Sequence, residues 1–110
     1  MQNLRINVDP IFAILLFLVS HVAAAEIDSE RQQQLSHLLK HDCGSCHGMT
    51  LKGGLGPALT NEALRTQSLD QIINVIRYGR PGTPMPPWET LLSAQDIEWL
   101  AKRLKQGAQQ

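Results

Sequence analysis

Two cysteines and a histidine stand together in the stretch Cys43-Gly44-Ser45-Cys46-His47. Side chains three positions apart project from the same side of a helical turn, so both sulfurs can reach one edge of a flat ligand. Two thiols at this spacing, with a histidine directly after the second, are the attachment pattern of c-type haem. His47 would then bind the iron from the proximal side of the ring. The stretch therefore predicts one covalently attached haem c.

Other chemistries of the same residues are less consistent with the sequence. A redox-active dithiol needs a βαβ context, and the flanks of Cys43 and Cys46 show no strand-like alternation. A zinc site needs four ligands, and no cysteine or histidine follows His47. A disulfide between the two cysteines leaves the adjacent histidine without a role. Haem attachment accounts for all three residues.

The opposite face of the iron needs a second ligand. The candidates in the sequence are Met49, Met85, His37 and His41. Met49 is excluded by reach, because two extended residues span only about 7 Å and cannot pass round the edge of the ring. Met85 lies in the proline-rich run 84–87, where the prolines fix φ and restrict the backbone. We predict Met85 as the distal ligand and interpret His37 and His41 as surface residues, with His41 in reserve as a ligand.

Coordination by His47 and Met85 has a functional consequence. With both axial positions filled by the protein, the iron has no open site for a substrate or for oxygen. A thioether also raises the reduction potential relative to a second histidine. The sequence thus predicts a one-electron carrier and not an enzyme. The alternative is a peroxidase-like haem enzyme or a gas sensor, either of which requires a labile distal methionine.

The 110-residue length allows one domain, and its first 25 residues have the features of an export signal. Arg5 precedes an apolar run at 11–19, and three alanines at 23–25 provide a small-residue cleavage site. The run is shorter than the roughly 20 residues that span a bilayer. We predict a cleaved secretory signal at 1–25, with an uncleaved anchor as the alternative, and a mature domain at 26–110.

Composition limits the partners and the compartment. The formal net charge is zero and both cysteines belong to one motif, so neither nucleic-acid binding nor a disulfide framework is indicated. Haem c is attached outside the cytoplasm in bacteria, which agrees with export to the periplasm. We expect no stable membrane insertion once the signal is cleaved.

Helical periodicity fills most of the remaining sequence. Leu35, Leu38 and Leu39 share one face of a helix predicted from about Ser29 to His41. Further helices are predicted at 61–66, from 69 to a stop at Gly79, and from 94 onwards. The predicted N-caps are Ser29, Thr60, Ser68 and Ser93. The fold class is therefore all-α, with four helices.

Two segments between the helices are predicted to be irregular. The loop 48–59 contains four glycines and a proline, and we expect it to pack behind His47 with Leu55 and Leu59 as apolar anchors. The loop 80–88 contains four prolines and cannot form regular helix or sheet. In the last helix, Asp96 is placed to complete a capping box with Ser93. Its predicted buried stripe consists of Ile97, Leu100, Ala101 and Leu104.

Together these features resemble class I cytochromes c over the whole span 26–110, and the loops 43–57 and 82–88 resemble NirC-type cytochromes. Those are small periplasmic carriers associated with the cytochrome cd nitrite reductase of denitrifiers. The resemblance implies a small fold of about four helices wrapped round one haem, with the two terminal helices crossing. It implies thioethers at Cys43 and Cys46, axial ligation by His47 and Met85, and a hydrogen bond from the His47 ring to the carbonyl of Pro57.

The resemblance also implies a physiological role. The chain would carry electrons from an upstream donor to a periplasmic nitrite reductase in denitrification, or act as a redox partner while the d-type haem of that enzyme matures. Many class I cytochromes place a tryptophan between the two axial ligands to bond a haem propionate, and this chain has none there. The candidates for that function here are Trp88, Tyr78, Arg77 and Arg80.

Overall fold

The computed structural model describes residues 26–108, which contain four helical stretches and no strand. The first stretch is a continuous rod made of α1 (Ser29–Leu38), a π-helical turn (Leu39–Cys43) and α2 (Gly44–His47). The others are α3 (Asn61–Leu64), α4 (Leu69–Tyr78) and α5 (Ala94–Lys105). Within residues 26–108 the all-α prediction is confirmed, whereas the predicted signal at 1–25 lies outside them. None of the described helices is long and apolar enough to cross a membrane.

The rod starts and ends differently from the prediction. Asp28 is the N-cap, because its carboxylate accepts a hydrogen bond from the amide of Arg31 at 2.8 Å; the predicted cap, Ser29, is the first helical residue. Aspartate and serine cap equally well, so residue type alone did not decide between neighbours. The rod continues past His41 to His47 and stops at Gly48, where φ is 88°. The predicted haem-attachment residues therefore lie on helix.

The remaining helix boundaries follow local capping chemistry. Thr60 caps α3 through its hydroxyl, and Ser68 and Ser93 each form a full capping box. Gly79 ends α4. These four predictions are confirmed, because a cap depends on a side chain three residues from its partner and not on the distant fold. α3 is shorter than predicted and ends at Leu64.

Residues of the first and last helices meet in one apolar core. Leu35 and Leu39 belong to the same buried cluster as Ile97, Leu100 and Leu104. α4 packs against α5 from another side. These contacts leave one face of the rod and one face of α4 free to line the site described below.

A partly buried ion pair fixes the rod to the start of α5. Arg31 donates from Nε to Asp96 Oδ1 at 3.0 Å and from Nη2 to Oδ2 at 2.7 Å, a bidentate pair across 65 residues. Asp96 Oδ2 also accepts from the amide of Ser93 at 3.0 Å. These bonds hold the pKa of Asp96 at about 2, below its ordinary 3.8. The carboxylate thus caps α5 and anchors the rod at once.

Lys105 performs a similar function at the other end of α5. Its ammonium donates to the carbonyls of Leu64 at 3.2 Å and Arg65 at 3.3 Å, and also to that of Gln67. A cation at the negative end of a helix is favourable. Lys105 therefore terminates α3 and ties the segment after it to the last helix.

Candidate haem site

A cavity of about 460 Å³ opens between the rod, α4 and the two predicted loops. This volume lies in the range of cofactor pockets. All five residues predicted to hold haem or iron line it: Cys43, Cys46, His47, Pro57 and Met85. Most of the remaining wall is apolar, with side chains that include Leu38, Leu39, Leu59, Ile72, Val75 and Ile76. The fold thus assembles residues separated by about half the domain around one apolar space.

The two thiols stand on the rod where it enters the cavity. Both are free and half-buried. The π-helical turn ends at Cys43, with the amide of Gly44 donating to the carbonyl of Leu39. Single π turns occur often at functional sites, but nothing in the composition of this segment indicated one. Burial, and after it the Asp42 carboxylate, raises the pKa of the Cys43 thiol to about 11.

His47 is oriented by the loop that follows it. Its Nδ1 lies 2.7 Å from the carbonyl oxygen of Pro57, the contact expected from the resemblance. A carbonyl can only accept, so Nδ1 carries the proton and Nε2 keeps a lone pair for a metal. A Cβ on Gly56 would lie 2.8 Å from two atoms of the ring, which only glycine avoids. The loop backbone therefore lies directly against the imidazole.

The same loop is bonded back onto the rod. The amide of Gly56 donates to the carbonyl of Cys46 at 2.7 Å, and that of Gly53 to His47 at 2.9 Å. Of the two predicted apolar anchors of this loop, one is confirmed and the other is wrong. Leu59 packs against the core, but Leu55 is 83% exposed at the cavity mouth, and Leu51 is buried in its place. Leu51 has a φ of 57°, an uncommon conformation for leucine that spacing could not reveal.

Among the four candidates for the distal ligand, only Met85 lines the cavity. Met49 is half exposed and packs near Gly44, outside the wall. His37 and His41 are exposed on the rod, with their ring centroids 4.2 Å apart. The cavity therefore presents one imidazole and one thioether, a donor set suited to haem iron.

Two of the four candidates for a propionate partner line the cavity. Arg80 and Trp88 line it. Arg77 instead lies over the ring of Tyr78, 5.8 Å from its centroid, and Tyr78 is 55% exposed. Arg80 is the only lysine or arginine among the cavity-lining residues. An apolar cavity with two thiols, an oriented imidazole, a thioether and one cation matches the chemical groups of haem c.

The chain is similar to known proteins in both sequence and structure. Residues 30–102 match the family model described as cytochrome C oxidase, cbb3-type, subunit III. Over 80 residues the chain is 58% identical to a cytochrome c55X of Pseudomonas aeruginosa, covering 73% of this chain and 67% of that protein. A cytochrome c55X of Stutzerimonas stutzeri is 52% identical over 96 residues, covering 86% and 85% of the two chains.

Two solved structures resemble the fold. The structure titled c-type cytochrome NirC is 57% identical, has a TM-score of 0.71, and covers 73% of this chain and 94% of its own. The structure titled dihydro-heme d1 dehydrogenase NirN in complex with DHE is 34% identical with a TM-score of 0.61, over 64% of this chain and 15% of that one. The cytochrome c55X relatives and the NirC structure agree with the predicted electron carrier. The chain belongs to the c-type cytochromes, as a NirC-type electron-transfer protein with covalently bound haem c.

Proposed function

We propose that this cytochrome is a periplasmic carrier, exported by a signal at 1–25, that passes single electrons to a nitrite reductase in denitrification. Its iron would be held by His47 and Met85. The observation that carries the proposal is the cavity, which both of these side chains line and which Met49, His37 and His41 do not. The similarity to NirC supports the link to nitrite reduction.

Each residue of the site has a defined task in this proposal. When bound, haem c supplies reversible one-electron chemistry at its iron. Cys43 and Cys46 hold the group through thioethers. His47 keeps its proton on Nδ1 toward Pro57, so that Nε2 remains a ligand and the ring cannot rotate. Met85 would hold the iron together with His47, which would keep substrates off the metal.

Arg80 and Trp88 are the proposed partners of the haem propionates. Cys43 and Cys46 would hold one edge of the macrocycle through the thioethers, and the propionates belong to the other edge. Arg80 is exposed and lines the cavity, where a carboxylate could pair with it without full loss of hydration. Surface ion pairs of this kind contribute little to stability, but they determine how easily a propionate is protonated.

The visible spectrum of the purified holoprotein tests the iron ligands. Ferric haem bound by methionine has a far-red charge-transfer band, and we expect it in the wild type and not in Met85→Ala. Met49→Ala is the matched control and should keep the band. A wild-type spectrum without it, or immediate binding of azide in the resting state, would contradict ligation by Met85 and favour the enzyme or sensor alternative.

A deletion strain distinguishes two physiological roles. If the protein is an electron donor, nitrite reductase acquires its d-type haem normally but turns over slowly. The similarity to part of a dihydro-haem d1 dehydrogenase favours a second role, electron exchange while that haem is formed. In that case the deletion strain contains reductase that lacks its d-type haem. Normal haem content with normal turnover would exclude both roles.

A further inference from the structure

The end of α4 contacts the backbone of the methionine loop directly. Gly79 is buried there, with φ of 67° and ψ of −165°, a region open essentially only to glycine. A Cβ built on it would lie 2.5 Å from the carbonyl oxygen of Met85, 2.7 Å from the carbonyl carbon of Pro86 and 2.8 Å from the nitrogen of Pro87. All three are backbone atoms of the loop, so a side chain at position 79 must displace the loop itself.

Hydrogen bonds from the next residues hold the loop in the same place. The amide of Arg80 donates to the carbonyl of Met85 at 3.1 Å. The hydroxyl of Thr83 donates to the carbonyl of Arg80 at 2.7 Å and accepts from the amide of Met85 at 3.3 Å. Further along, the amide of Trp88 donates to the carbonyl of Ile76 at 3.0 Å. The loop is therefore bonded to the end of α4 on both sides of Met85.

The prolines make this placement stiff. Pro84 and Pro86 flank Met85 and restrict its backbone, and Pro87 fixes the next φ. The φ angles of the neighbouring prolines therefore absorb little of a displacement of the Met85 carbonyl. Such a displacement would move the backbone from which the Met85 side chain reaches the cavity.

We infer that Gly79 and Thr83 are positioning residues that hold Met85 at the iron, so that the end of α4 decides whether this haem is closed or open to added ligands. The inference rests on the proposed ligation of the iron by Met85. Gly79 acts through the loop, because it does not line the cavity. Thr83 lines the cavity and holds the loop through the two hydrogen bonds of its hydroxyl. The same sequence with a displaced loop would have a vacant axial position.

The chain offers a matched control in Gly82. Its φ is also positive, at 79°, but a Cβ there would meet nothing within 4 Å. Gly82→Ala therefore tests the strain of a side chain at positive φ without a clash against the methionine loop. Gly79→Ala has both the strain and the clash.

The experiment compares the ferric holoproteins of wild type, Gly79→Ala, Gly82→Ala and Thr83→Val. We expect Gly79→Ala to lose most of the far-red methionine band and to bind azide about tenfold or more tightly, because apparent affinity scales with the fraction of open sites. Thr83→Val should change both readouts in the same direction by less. Gly82→Ala should match the wild type in both.

The outcomes separate this inference from the proposal on which it rests. A wild type without the band means that Met85 is not the ligand, which refutes the proposed coordination. A wild type with the band, together with unchanged Gly79→Ala and Thr83→Val, refutes the positioning role alone. Equal changes in Gly79→Ala and Gly82→Ala also refute it, since the strain of a side chain at positive φ would then explain the effect without the clash. If Gly79→Ala yields no holoprotein, Thr83→Val decides by the same two readouts, with Thr83→Ser as its control, because serine keeps the hydroxyl that bonds the loop.

Discussion

Asp96 provides a stability prediction whose size follows from its contacts. Its carboxylate is buried, accepts two hydrogen bonds from Arg31, and caps α5 at the amide of Ser93. The pKa of about 2, against an ordinary 3.8, corresponds to roughly 2 kcal/mol of folding free energy. We therefore expect Asp96→Asn to lower the free energy of unfolding at pH 7 by about that amount.

The sign of the pH dependence follows from the direction of the shift. A carboxylate with a pKa lowered by folding stabilises the native state above its unfolded pKa, and the effect is lost as the pH falls. The difference between wild type and Asp96→Asn should therefore be complete above pH 4 or so and disappear toward pH 2. The other acid-sensitive groups are the same in both proteins, so their contributions cancel in the difference between the two free energies of unfolding.

Denaturant unfolding of the holoprotein at a series of pH values measures this difference. Glu98→Gln is the matched control, because Glu98 lies on the same helix but is half exposed and pairs with Lys102. An exposed pair of this type contributes about 0.5 kcal/mol or less. A loss below about 0.5 kcal/mol in Asp96→Asn at pH 7, or a difference that stays constant down to pH 2.5 or so, would refute the reasoning.

Three further predictions concern the cofactor and the last helix. Arg80→Gln should lower the reduction potential by tens of millivolts, because a positive charge beside the propionates is lost, and should make the potential depend on pH near neutrality. Arg77→Gln should do neither. If the two variants gave the same curve of reduction potential against pH, a propionate role for Arg80 would be excluded. Lys105→Met should reduce the free energy of unfolding by about 2 kcal/mol, because three carbonyls lose a charged donor; an unchanged denaturation midpoint would contradict this. The Cys43→Ala, Cys46→Ala double variant should lack a cooperative melt by circular dichroism, since its cavity stays unfilled; a native-like melt would show that haem is dispensable for folding.

Much of the site could be predicted because its chemistry is local. The attachment residues span five positions, and the caps at Thr60, Ser68 and Ser93 each depend on a neighbour three residues away. Interactions at this range leave a mark in residue type and spacing. The contact between His47 and Pro57, which crosses ten residues, was expected from the resemblance alone.

The contacts that sequence reasoning missed are those made between distant segments. Nothing near Arg31 indicates a partner 65 residues away, and Lys105 looks like any cation in a final helical turn. In the glycine-rich loop, Leu51 is buried and Leu55 exposed, because the path of the loop, and not hydrophobicity, decides which leucine faces the core. The sequence likewise could not show that Arg80 lines the cavity and Arg77 does not, because this depends on the orientation of α4.

The division of the site between two regions has a practical consequence. Everything that would take up the haem covalently, together with the carbonyl that orients the proximal imidazole, lies between Cys43 and Pro57. The residue proposed to seal the iron comes from a separate loop suspended on the end of α4. A defect in that loop would therefore still give red, fully loaded protein, and colour alone would not distinguish an intact carrier from one with an exposed metal.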